Sequence, residues 1–181
     1  MKKYIICLLI IFISFHVPAQ SIYVQTLNGI NGNVINLKKY FGKKMVFIIV
    51  PFSIEDSSAI RVVDSFLVSC DAKAVVFGIL SKEDGYTDSQ KKALLKIYTG
   101  KNIILSEGMY TKKSSGSNQS PIMQWLTHRN KNFRSDADAA GPGQAFFVAE
   151  PGNLVVVARP AARLNSAGAL FILNKPYYNK Q

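Results

Sequence analysis

The chain predicts an α/β protein: a three-layer α/β/α sandwich around a mixed central sheet, preceded by a β-hairpin. Three observations carry that expectation. Two continuous apolar runs, residues 45–50 (MVFIIV) and 74–80 (AVVFGIL), read as strands covered on both faces. Between them Ile60, Val63, Leu67 and Cys70 recur three or four residues apart, the stripe of a crossover helix. Farther on, residues 144–148 and 154–158 flank the turn Glu150-Pro151-Gly152-Asn153 and read as an antiparallel pair. A β-α-β unit followed by a hairpin gives strands of both directions.

The remaining elements follow in chain order. Lys2 and Lys3 precede an apolar run at residues 4–15 (YIICLLIIFISF), too short to cross ~30 Å of hydrocarbon. Val17 and Ala19 then occupy the −3 and −1 positions of a cleavage site, so residues 1–19 read as a signal peptide and 20–181 as the exported domain, periplasmic or secreted. Cys7 lies inside the apolar run rather than after it, which argues against a lipoprotein. Residues 21–25 alternate as a strand would, Asn28-Gly29 and Asn31-Gly32 are turn signals, and 34–37 resume extended character. Glu55-Asp56-Ser57-Ser58 supplies caps and first-turn acids for the crossover helix. Residues 88–98 read as a helix with Leu94, Leu95 and Tyr98 inward, and 101–105 contain a short extended piece. Residues 112–120 (KKSSGSNQS) have the composition of a flexible loop. Pro121 opens a helix through Trp125-Leu126, and 166–173 form a last short one before a polar tail.

With 48% hydrophobic and 18% charged residues among 181, one globular domain with its own core is expected. Lys plus Arg total 22 against 11 acids, a net +11; removing Lys2 and Lys3 with the first nineteen residues leaves 20 against 11, or +9. That surplus attracts polyanions: lipid headgroups, lipopolysaccharide, or acidic proteins and sugars. Peripheral contact with an anionic membrane surface is one form of it. Aromatic–basic interleaving of the kind that reads nucleic acid is missing, and export makes nucleic acid an unsuitable partner. Two cysteines and two histidines exclude a disulfide scaffold and a multi-histidine metal centre. No cofactor is expected: Gly141-x-Gly143 lacks the strand-to-helix setting of a dinucleotide loop.

Two stretches narrow the fold. Residues 28–44 (NGINGNVINLKKYFGKK) resemble the opening of glutathione peroxidases, where a hairpin leads through L-x-x-Y-x-G-K into the first core strand. Residues 120–132 (SPIMQWLTHRNKN) resemble their late segment, with W-L followed by a basic, asparagine-rich turn. Residues 146–157 fit their F-L-V-D-x-x-G-x-V hairpin. The resemblance spans about residues 21–173 and implies the thioredoxin-like fold. It also implies where the family's chemistry would sit. The peroxidatic cysteine or selenocysteine falls on Ile54, between Ser53 and Glu55. The family's glutamine falls on Ser81, and its tryptophan and asparagine on Gly141 and Pro142. All four depart from the pattern. Trp125 matches the W-L helix tryptophan, away from the reacting sulfur. Pro142 lies about one residue early for the proline that faces thioredoxin active sites, which leaves its conformer open.

Other candidates are weighed on their own residues. Ser53 at a helix head reads as a cap or loop hydroxyl rather than a nucleophile, since no histidine partners it. Cys70 lies near the far end of the first helix, where the helix dipole opposes a thiolate, and reads as a small buried hydrophobe. His128, Arg129, Lys131 and Arg134 form a basic turn, a solvated face or an anion-binding site. The sequence therefore reads as an exported, glutathione peroxidase-like domain that has lost the peroxidase residues and works as a binding or scaffolding protein. One alternative is a diverged peroxidase or thiol-dependent oxidoreductase acting through Cys70. The other is a basic protein docking on anionic envelope surfaces.

Overall fold

A computed structural model of the protein describes residues 21–160, 164 and 166–175, without the side chain of Ile54. The expected signal segment 1–19 lies outside these residues. The centre of the molecule is strand β3 (Met45–Ile49), in which all five residues are buried. Successive side chains point to opposite faces, so Val46 and Ile48 enter one core while Met45, Phe47 and Ile49 enter the other. Beside β3 lie β4 (Val75–Ser81), parallel, and β6 (Ala145–Val148), antiparallel. With β5 (Ile104–Met109) and β7 (Leu154–Ala158) at the edges, the sheet runs β5-β4-β3-β6-β7 and is mixed, as expected.

Helices α1 (Ser57–Cys70), α2 (Lys91–Tyr98) and α5 (Ala167–Asn174) cover one face. They contribute Val63, Phe66, Leu67, Cys70, Leu94, Tyr98 and Leu173 to its core. The other face is covered by the hairpin β1 (Thr26–Asn28) and β2 (Val34–Asn36) together with α3 (Pro121–Thr127). Leu27, Ile35, Ile122, Met123, Trp125 and Leu126 pack there. Phe47 and Phe77 stack at 4.9 Å within that core; truncating either to alanine costs about 3–5 kcal/mol by the usual transfer and cavity terms. A single turn, α4 (Arg129–Asn132), follows α3.

The two edges of the sheet differ. The hairpin turn docks on β5, through a Gly29–Ser106 bridge and a 3.0 Å bond from Ile30 N to Leu105 O. The outer edge of β7 pairs with no strand among the described residues. At the foot of β3, buried Lys44 donates from Nζ to Leu173 O and Lys175 O, both at 2.7 Å, with Glu150 at 3.5 Å. These bonds fasten α5 to the start of the central strand.

Three local expectations are corrected. Residues 21–25 are not extended but enclose a 3₁₀ turn at Ile22–Val24, whose Ser21 side chain accepts from Tyr23 N. The turn buries Ile22 completely while Tyr23 Oη donates to Glu150 O at 2.6 Å. The extended piece at 101–105 is a strand that starts later and reaches Met109, because pairing with β4 carries it across the polar Ser106 and Glu107. Ser106 Oγ accepts from Leu80 N where that pairing shifts register. The stretch 112–120 is not a loose loop: Lys113–Asn118 form 3₁₀ turns fastened by side chains from elsewhere in the chain.

Candidate functional site

The positions singled out by the family resemblance come from three segments at one end of the sheet. Strand β3 runs out through Val50 into Pro51 and Phe52, and β4 ends in Ser81. The lead into β6 is Gly141-Pro142-Gly143. Backbone bonds hold the ends together: Val50 N to Ile79 O at 3.0 Å, Gly143 N to Ile49 O at 2.7 Å, and Ile49 N to Gln144 O at 2.9 Å. Tyr86, in the turn after β4, stands edge-on to Phe52 with ring centroids 5.7 Å apart, and both are buried.

At the head of α1 the backbone of Ile54–Asp56 makes a 3₁₀ turn. Ser53 caps it, its Oγ accepting from Glu55 N at 3.3 Å. That hydroxyl therefore has a structural occupation. Cys70 lies at the other end of α1, the last of its fourteen residues, about 20 Å from the first at 1.5 Å per residue. It is 1% exposed, and burial pushes its thiol up to about 12, against a smaller opposing pull from Lys73. Such a thiol stays protonated and holds no nucleophilic sulfur at neutral pH.

Ser81 is buried and shares a hydrogen bond of 2.9 Å with the Thr111 hydroxyl. The hub of this corner is Glu83. Its Oε1 accepts from Lys112 N at 2.9 Å and from Ser115 Oγ at 2.6 Å. Both carboxylate oxygens lie 2.9 Å from Thr111 N, and Oε2 lies 3.3 Å from the hydroxyls of Thr111 and Ser81, one of which donates to it while the other's proton bridges the pair. Burial raises the Glu83 pKa, but the bonds from Ser115, Thr111 and Lys112 outweigh it and hold the carboxyl at about 2. A carboxylate with this many donors is a clamp, and what it clamps is the segment 111–115.

Asp84 stands next to it. Its Oδ1 pairs with Lys112 Nζ at 2.9 Å, a hydrogen bond that raises the lysine pKa. Its Oδ2 is buried with no hydrogen-bond partner among the described residues. That oxygen lies 3.7 Å from where a Cβ on Gly141 would stand. Gly141 has φ +114°, a conformation that strains residues with side chains. None of the described peptide bonds is cis, so Pro142 follows a trans bond.

The basic turn uses much of its polarity inside the molecule. His128 Nε2 and Gln119 Oε1 are 2.9 Å apart, Lys131 Nζ donates to Gln124 Oε1 at 2.7 Å, and Arg134 Nε donates to Val155 O at 3.2 Å. Arg129 is exposed, and its backbone N–H donates to Asp136. Asn132 organises the turn: it donates to Trp125 O, Leu126 O and Ser135 O and accepts from Arg134 N and Ser135 N. Trp125 itself is buried in the core beneath the hairpin. Among the described residues no cluster of three or more His, Cys, Asp or Glu is placed to hold a metal ion, and no helix is long and apolar enough to cross a membrane.

Sequence reasoning did not find Glu83, Thr111 or Asn132. The signal for Glu83 was an acid two residues beyond a buried strand, followed thirty residues later by a serine-rich run full of donors. Spacing alone does not join the two.

Backbone comparison decides the architecture. A structure described as Trgpx in apo form matches with a TM-score of 0.64 at 12% identity, covering 88% of this chain and 99% of that one. T. cruzi GPX1 matches at 0.61 and 13%, covering 85% and 97%. MTB dsbF, in mixed oxidized and reduced forms, matches at 0.54 and 17%, covering 87% and 99%. The fold is thioredoxin-like. Within it, the N-terminal hairpin and the order of elements agree with the glutathione peroxidase-like form that the resemblance implied. By sequence, no family description and no curated protein matches the chain. The thioredoxin-like frame is thus shared at the level of backbone.

Proposed function

We propose that this chain is an exported thioredoxin-like domain that works by binding, as a partner or scaffold, without peroxide chemistry. The head of α1 carries the reading. Peroxide reduction of the family type needs a thiolate or selenolate there to attack the O–O bond. This chain has Ser53-Ile54-Glu55 instead, an isoleucine with no lone pair beside a serine used as a cap. The position of the helper glutamine carries Ser81, tied to Thr111 and Glu83. Cys70, the one free cysteine among the described residues, is buried at the wrong end of the helix. Export rests on the N-terminal sequence, and the surplus of positive charge favours acidic or anionic partners.

The test is turnover of hydrogen peroxide and a lipid hydroperoxide, with glutathione or thioredoxin as donor, by the protein and its Cys70→Ser variant. No turnover is expected from either. Turnover by the parent that Cys70→Ser abolishes overturns the binding reading and makes Cys70 catalytic.

A further inference from the structure

We infer that the open edge of β7 is a docking site for an extended acidic peptide segment, which would add to the sheet as a further strand. The inference deepens the binding reading above by naming where and what the domain binds. Edge strands present unpaired backbone N–H and C=O groups, and proteins generally cover or blunt them. Here the β5 edge is covered by the hairpin turn at Gly29 and Ile30. Among the described residues the β7 edge pairs with no strand and faces a groove of about 450 Å³, bounded on its far side by residues 134–140.

Three features of that groove select the occupant. Its floor includes Val155 and Val156, and Val156 is 36% exposed, so alternate apolar side chains have a surface to meet. The Val155 carbonyl accepts from Arg134 Nε at 3.2 Å, which holds that guanidinium against the strand edge, so an incoming strand would take over this acceptor and release the guanidinium to its own acidic side chains. Arg134 and Arg159 both line the groove and are exposed, and Arg159 has no ion-pair partner among the described residues. The one acid there, Asp138, is engaged by the backbone N–H groups of Lys113 and Ala139. A second copy of this chain is disfavoured as occupant, because pairing β7 with itself would bring these arginines together across the seam. An acidic strand meets both the backbone and the charge. Main-chain bonds would give affinity, and the arginines would select sign.

The test uses a fluorescein-labelled Glu-Val-Glu-Val-Glu-Val hexapeptide and the purified protein, read by anisotropy. Saturable binding is expected, weakened at least tenfold by N-methylating alternate peptide residues. The same loss is expected in Arg159→Glu, a side chain with no described bond to lose, and in Arg134→Ala/Arg159→Ala. Absence of saturation, equal binding of the N-methylated peptide, or equal binding of a Lys-Val hexapeptide overturns the inference. Sedimentation showing a dimer that Arg159→Glu dissolves would overturn it in favour of a second copy. Peroxide turnover is measured separately, so failure here leaves the non-catalytic reading standing.

Discussion

Replacing Glu83 by glutamine removes one charge and keeps the shape of the side chain, so it isolates what the carboxylate contributes to the clamp on residues 111–115. Folding lowers this carboxyl from 4.5 to about 2. At about 1.4 kcal/mol per pH unit the full effect would exceed 3 kcal/mol. The site is partly exposed, and solvent screening reduces the net contribution to about 1–2 kcal/mol. For a domain of this length that is a fall in Tm of about 3–6 °C. Because folding depresses the pKa, the contribution is complete above about pH 4.5 and is lost as pH falls toward 2. Urea or thermal unfolding of the parent and Glu83→Gln at pH 7 and at pH 2.5 measures both arms. The variant should be weaker at pH 7, and at pH 2.5 the gap should shrink to about a quarter of its pH 7 size. Equal stability at pH 7, or an undiminished gap at pH 2.5, would refute the clamp.

Three further outcomes follow from the geometry. The Cys70 thiol should resist a water-soluble disulfide reagent at pH 8 in the folded protein and react at once in denaturant, since burial holds it protonated; rapid labelling of the native form contradicts this. Gly141→Ala should lower stability by about 1–3 kcal/mol through backbone strain alone, because the new methyl group meets Asp84 only at ordinary contact distance. A denaturation midpoint equal to the parent's would show that the positive φ is not required. Asn132→Ala strands buried carbonyls at Trp125 and Leu126 and should cost about 2–4 kcal/mol, with faster amide exchange confined at first to residues 126–135.

Much of the frame was readable because burial on both faces leaves a simple trace. A strand with no exposed residue, such as β3, becomes an unbroken apolar run, and Asn-Gly pairs announce the turn of the first hairpin. The segment 112–120 was misread for the opposite reason. Its own composition specifies nothing, and its order is imposed by Glu83, Asp136 and Asp138, which supply acceptors from distant parts of the chain. Strand β5 was cut short because Ser106 and Glu107 interrupt the apolar pattern while the backbone pairing continues through them. The family resemblance singles out Ser53, Ser81 and Gly141 by position, and the structure brings the segments that carry them to one end of the sheet. What occupies that corner, a polar knot around Glu83, depends on contacts across the fold that no local pattern encodes.

The fastening of Lys44 also sets a condition. The oxygens that receive its ammonium group at Leu173 and Lys175 lie 129 and 131 residues downstream. Until α5 docks, the foot of β3 holds a cation without the two carbonyls that satisfy it, and burying it in that state costs several kcal/mol. Sealing the middle of the sheet is therefore tied to the docking of α5, in whatever order the other elements assemble.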